Sequence, residues 1–171
     1  MKNPFFPAWL SLGSNLGDSM QQLTTAVTLI GSDVELTQVH RLSPVYRTKA
    51  WGNTEQPDFL NMAVELRTAL PAAELMQSLL AVERKMGRER LEKWGPRTID
   101  IDLLFYRDET IREPQLHVPH PLLHERRFVL LPMNDLSPEL IHPVLGKSIA
   151  RLLADCPDQS EALPASVLPL T

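Results

Sequence analysis

The stretch Thr98-Ile99-Asp100-Ile101-Asp102-Leu103-Leu104-Phe105-Tyr106 alternates apolar and acidic residues at the period of a β-strand. Ile99, Ile101, Leu103 and Phe105 fall on one face, Asp100 and Asp102 on the other. Upstream, residues 8–12 read as a short buried strand and Gly13-Ser14-Asn15-Leu16-Gly17 as a turn, with Asp18 or Ser19 as a helix N-cap. Met20, Leu23, Val27 and Ile30 then recur at helical spacing up to Gly31. Residues 34–47 are strand-like with a break at Pro44, and 49–58 form a loop rich in turn residues. Leu60, Met62, Val64 and Leu66 share one face of a strand over 59–68. Pro71 opens a second helix carrying Leu75, Met76, Leu79 and Met86, which Gly87 closes. A charged loop, 88–96, leads back to the opening strand. The order β-α-β-β-α-β predicts an α+β chain, a ferredoxin-like split sheet with its helices on one face. Nine of the fifteen prolines lie from Pro114 onward. That part is expected to be a Pro-rich, irregular extension with a helix near 148–154. One domain spans 1–171, with its core over about 8–154 and a tail over 155–171.

Composition bounds the function. The 171 residues are 43% hydrophobic and 22% charged, which is globular usage. No apolar run approaches the roughly 18 residues of a membrane span. The start, Met1-Lys2-Asn3-Pro4, has no apolar signal core, so a cytoplasmic location is expected. The lone cysteine, Cys156, fits a reducing compartment and reads as incidental to function. A net charge of −4 argues against bulk attraction to nucleic acid or anionic lipid. Any bound anion must be held by a local basic cluster or a metal.

Such a cluster precedes the aspartates. Arg88, Arg90, Lys93 and Arg97 lie within one short stretch, beside Trp94. Guanidinium groups match phosphate oxygens bidentately, and Trp stacks on a base or a cation. Asp100 and Asp102, with Cα atoms about 6.5–7 Å apart, repel one another unless a hard divalent cation joins them. Together the two signs describe a magnesium-polyphosphate site. Phe59 and Asn61 lie opposite the apolar face of their strand, where Asn could read an amide-bearing heterocycle and Phe stack on it. The glycine turn lacks the Gly-Lys-Ser/Thr ending of a phosphate-binding P-loop. His117 and His120 are poor magnesium ligands, because that ion prefers oxygen.

The segments Leu12-Gly13-Ser14-Asn15-Leu16-Gly17, Phe59-Leu60-Asn61, Gly87-Arg88, Trp94-Gly95-Pro96-Arg97-Thr98-Ile99-Asp100-Ile101-Asp102 and Val118-Pro119-His120-Pro121 resemble, in that order, the 6-hydroxymethyl-7,8-dihydropterin pyrophosphokinases of folate biosynthesis. Arg126, Phe128, Val129 and Leu130 extend the likeness, which runs from about Trp9 to Leu153. The resemblance implies transfer of the β,γ-pyrophosphoryl group of ATP to the pterin hydroxymethyl group, leaving AMP. It implies two Mg2+ ions on Asp100 and Asp102. It gives catalytic roles to Arg88, Arg97, Asp100 and Asp102. ATP would be held by Glu83, Arg88, Arg90, Trp94, Arg97, His117, His120 and Arg126. The pterin would be held by Thr48, Lys49, Ala50, Trp51, Phe59, Asn61, Asp100 and Phe128. Lys49 and Trp51 depart from the Pro and Leu of some members. The expected partners are these two small molecules, with no nucleic acid or membrane, and the chain is expected to be a monomer. A ligand-sensing module or a nucleic-acid-binding module of the same topology is the alternative. The latter needs positive charge where this chain carries Asp100 and Asp102.

Overall fold

The computed structural model describes residues 4–50, 55–87 and 97–170. Five strands, β1 (Phe6–Ser14), β2 (Thr37–Leu42), β3 (Pro44–Thr48), β4 (Phe59–Thr68) and β5 (Asp100–Tyr106), belong to one sheet with a sixth from the C-terminal region. The fold is α+β, and every pairing in this sheet is antiparallel. β1 lies between β5 and β4, and β2 and β3 follow one another along the outer side of β4. The break between them falls at Ser43-Pro44, where the Ser43 amide still donates to the Ala63 carbonyl at 3.0 Å.

Helices α1 (Ser19–Ile30) and α2 (Ala72–Lys85) cover one face. Asp18 caps α1 by accepting the Gln21 amide at 3.0 Å. Leu23, Ala26, Leu75 and Leu79 pack on Leu10, Leu12, Val64 and Leu66, all at or near zero exposure. Each buried leucine contributes about 1.5–3 kcal/mol relative to exposure, which holds these helices on the sheet.

The opposite face is also covered, contrary to the expectation of helices on one side. α3 (Arg127–Leu136) and α4 (Ile149–Ala154) bury Val129, Leu130, Met133 and Ile149 in a second cluster with Trp9, Ala63 and Phe105. Phe105 reaches that cluster because the β1–β5 register shifts between Trp9 and Leu10. The extra residue of the bulge, Leu104, reverses the alternation, so Phe105 leaves the face of Ile101 and Leu103. Its ring meets Trp9 edge-on, with centroids 6.3 Å apart. Arg41 pairs with buried Glu65, and Trp9 Nε1 donates to Ser137 Oγ at 3.1 Å, tying the end of α3 to the sheet.

The C-terminal part is more regular than its prolines suggest. A hairpin of β6 (Ile111–Glu113) and β7 (Leu116–Val118) precedes a 3-10 turn at Leu123–Glu125 and α3, which contains Pro132. The helix expected at 148–154 is α4. Cys156 is buried in the second cluster instead of lying in a tail. The expected tail also contains β8 (Ala162–Val167), which pairs with β3 as the sixth strand of the sheet. No helix among the described residues is long and apolar enough to cross a membrane.

Candidate active site

Along β1 the side chains facing α3 run Trp9, Ser11, Gly13. Opposite them on β4 stand Glu65, Ala63 and Asn61, and on β5 Phe105, Asp102 and Asp100. The face therefore changes from apolar to polar along the strands. At the polar end a cleft of about 220 Å³ opens, lined by Ser11, Gly13, Thr48, Lys49, Phe59, Asn61, Arg97, Asp100, Asp102, His120, Arg126 and Phe128.

The heterocycle side of the cleft is built on β3 and β4. Asn61 is buried, and its Nδ2 donates to Thr48 Oγ1 at 2.7 Å. That bond fixes the amide orientation and leaves the Thr48 hydroxyl proton for another acceptor. Gly13 lies directly across from Asn61, where a Cβ would come within 2.8 Å of Asn61 Oδ1. Only glycine lets the two strands hold the amide there. Phe59 and Phe128 both line the cleft, from β4 and from the first turn of α3. Lys49 reaches Asp58 at 3.2 Å, and Ala50 is buried.

The anion side comes from β5 and the segment before α3. Arg97 Nη1 pairs with Asp100 Oδ2 at 2.8 Å. Arg126 is buried and lies over the Phe128 ring, 5.8 Å from its centroid. Burial pulls the Arg126 pKa down, while Asp102 and Asp100 oppose that shift. His120 accepts the Leu122 amide through Nδ1 at 3.2 Å. Burial, reinforced by Arg126, lowers its pKa to about 4. At neutral pH it is thus uncharged, with its proton on Nε2, and can only donate there.

His117 is not part of the cleft lining. It stands exposed on β7 opposite Arg112 and lines a neighbouring hollow that shares His120. Glu83 is buried near the end of α2, where its Oε1 accepts the amide of Ile101 at 2.8 Å, between the two aspartates. Arg88, Arg90, Trp94 and Trp51 lie outside the described residues.

The sequence leaves Ser11 unassigned and places Gly13 and Asn15 in a turn, whereas β1 runs on to Ser14. Ser11 stands opposite Asp102 and Gly13 opposite Asp100. Asn15 is buried and ties its own turn to two other segments. Its amide donates to the Arg97 carbonyl at 3.1 Å, and its Oδ1 accepts the Arg97 amide at 2.9 Å. Its Nδ2 donates to Gln56 Oε1 at 2.9 Å and the Pro57 carbonyl at 3.0 Å. Read as a turn residue, Gly13 gives no sign of its close approach to Asn61, and nothing local signals the reach of Asn15.

Among the described residues no group of three or more His, Cys, Asp and Glu side chains could hold a metal alone. Asp100 and Asp102 nevertheless suit Mg2+, which is typically held by one or two carboxylates plus substrate phosphates.

A relative from Synechocystis, named 2-amino-4-hydroxy-6-hydroxymethyldihydropteridine pyrophosphokinase, is 43% identical over 151 residues, 87% of this chain and 76% of its own. One of the same name from Aquifex aeolicus is 40% identical over 141 residues, 82% and 86% of the two chains. The wild-type HPPK-DHPS structure of Plasmodium falciparum has the same fold, with a TM-score of 0.70 at 19% identity. The match covers 90% of this chain and 45% of that one, so this chain spans less than half of that protein. The family model for 7,8-dihydro-6-hydroxymethylpterin-pyrophosphokinase matches residues 9–138, a span holding every cleft residue described above. With that match and relatives at 40–43% identity over most of its length, the chain belongs to the 7,8-dihydro-6-hydroxymethylpterin-pyrophosphokinase family.

Proposed function

We propose that this chain transfers pyrophosphate from ATP to 6-hydroxymethyl-7,8-dihydropterin, giving AMP and the pterin diphosphate, in folate biosynthesis. The observation that carries the reading is the cleft with two unlike halves. Asn61, oriented by Thr48, and the rings of Phe59 and Phe128 suit a flat heterocycle. Arg97, Arg126 and neutral His120 suit phosphate oxygens, with Asp100 and Asp102 between the two. The pterin hydroxyl oxygen, giving up its proton, bonds to the β-phosphorus as the bond from that phosphorus to the α,β-bridging oxygen breaks and AMP leaves with that oxygen. The residues contribute alignment and charge neutralisation, which is most of what phosphoryl transfer needs.

Asp100 and Asp102 would hold Mg2+, two ions by family resemblance. The metal would neutralise phosphate oxygens that two carboxylates alone would repel. Glu83 and His117 would act in nucleotide binding from the margin of the cleft, with Arg88, Arg90 and Trp94. Thr48, Lys49, Ala50 and Trp51 would border the pterin. The strand order β5-β1-β4, completed by β2 and β3, supports a ferredoxin-like split core. The chain acts as a cytoplasmic monomer on these two small molecules, without nucleic acid. Incubation with Mg2+, the pterin alcohol and γ-labelled ATP tests the reaction. AMP with label in a pterin diphosphate is expected; ADP with a pterin monophosphate would overturn it.

A further inference from the structure

β3 carries Thr48 into the cleft, and it is held from both sides. Against β4 only Tyr46, Arg47 and Thr48 are aligned. Against β8 the aligned residues are Pro44, Val45, Tyr46, Arg47 and Thr48. Most of the ladder that fixes β3 is therefore supplied by β8. At the cleft end, Thr48 stands between Phe59 of β4 and Ala162 of β8. Directly opposed residues point to the same face, so the Ala162 methyl lies on the side of the Thr48 hydroxyl. That hydroxyl accepts the Asn61 amide at 2.7 Å. β8 begins at Ala162, beyond the 9–138 span that matches the family.

We infer that β8 is a positioning element of the heterocycle pocket. By completing the ladder of β3 it holds Thr48 where its hydroxyl orients the Asn61 side chain, and so sets affinity for the pterin. Nucleotide affinity depends on it less, because Arg97, Asp100 and Asp102 stand on or beside β5, at the far edge of the sheet from β8, and Arg126 lies at the opposite end of α3 from Asp135, the partner of Tyr46 in β3. Without its outer partner β3 would become an edge strand, held by three aligned residues on β4 and by the Tyr46–Asp135 bond, with its cleft end at Thr48 least restrained. Pro164 already removes one donor from β8, as an edge strand permits, so further prolines should undo the pairing. The inference rests on the function proposed above for the identity of the ligand, but not for the coupling of β8 to Thr48.

The test uses the full chain carrying Leu163→Pro and Ser166→Pro, one on each side of the register shift between Val45 and Tyr46. Leu163→Pro alone serves if the pair does not fold. Calorimetry reads Kd for the pterin in the presence of a non-hydrolysable ATP analogue, and Kd for the analogue itself. The pterin Kd should rise about tenfold, the scale of one lost buried hydrogen bond, with the analogue Kd within about twofold. Thr48→Val should weaken the pterin similarly. Combined with the prolines it should cost less than the sum, since both act through one hydroxyl. Amide exchange at Arg47 and Thr48 should quicken in the proline variant without ligand. Unchanged pterin affinity, equal losses for both ligands, or strict additivity with Thr48→Val would each overturn the inference. If the unsubstituted chain binds no pterin, the functional reading fails instead. Exchange at Arg47 and Thr48 then decides the positioning claim alone, unchanged protection overturning it and faster exchange supporting it.

Discussion

Asn15→Ala is the perturbation that most directly probes how the cleft is held together. The substitution deletes three side-chain hydrogen bonds, with Arg97 N at 2.9 Å, Gln56 Oε1 at 2.9 Å and Pro57 O at 3.0 Å. The backbone bond from the Asn15 amide to the Arg97 carbonyl survives. At about 1 kcal/mol net per bond, the loss is about 3 kcal/mol, a large part of a typical domain's margin of 5–15 kcal/mol. A catalytic effect of similar size should accompany the loss of stability. Arg97 is the residue that pairs with Asp100, and a misplacement of about 1 Å in an aligning group can cost on the order of a hundredfold in turnover. Asn15→Asp separates the two effects. It keeps an acceptor for the Arg97 amide but sets a second oxygen against the Gln56 and Pro57 oxygens. Its stability should fall about as far as that of Asn15→Ala, while its turnover stays closer to the parent's. Urea unfolding and steady-state turnover, both well below the melting temperature, read the two quantities. An alanine variant within about 0.5 kcal/mol of the parent and of equal turnover would refute the brace.

Asp100→Asn and Asp102→Asn should each remove more than about 3 kcal/mol of transition-state stabilisation while leaving the fold intact, the electrostatic loss expected at such a site. Full turnover by either variant at saturating magnesium would eliminate them as ligands. Asn61→Ala should weaken the pterin by about 2 kcal/mol with little change for ATP, because buried polar atoms of the heterocycle lose their partner; equal losses in calorimetry would point to misfolding. His120 sets a pH dependence of stability. Its folded pKa of about 4 lies below the ordinary 6.5, so the unfolded chain takes up the proton first as pH falls. Its contribution is complete above about 6.5 and is lost progressively down to about 4, by up to about 3 kcal/mol. His120→Gln should flatten that fall in urea titrations, and parallel curves for parent and variant would contradict it.

That Asp100 and Asp102 share one face was legible because a period of two puts them there whatever the strand pairs with, and both line the cleft. The destination of Phe105 was not, because a bulge is decided by the partner strand. α3 lies in the stretch expected to be irregular for its prolines and contains Pro132, yet that residue is buried and packing on β4 outweighs the missing donor. β8 is short, exposed and contains Pro164; its strand character comes from β3, over a hundred residues earlier. The grip of Asn15 on Arg97 spans 82 residues and has no local pattern at all. Sequence showed which side chains could do the chemistry, and non-local pairing determined what holds them.

The cleft and the second core cluster occupy one face of one sheet, and what separates them is where α3 begins. From Trp9 through Ser11 to Gly13 the β1 side chains shrink toward the cleft. Beyond Ala63 and Phe105, which α3 covers, β4 and β5 present Asn61 and Asp102 instead. Arg126 and Phe128 flank the first residue of α3, so the helix that seals the core also delivers a cation and a ring to the cleft wall. Tyr46 donates to Asp135 near the other end of the same helix, and burial together with that carboxylate raises the Tyr46 pKa to about 12, keeping it a donor. The helix is thus pinned by Tyr46 and Ser137 at its far end and free of the sheet's apolar cover at its start. Rigidity is concentrated where the apolar residues are, and the polar side chains that must meet two different substrates stand at its margin.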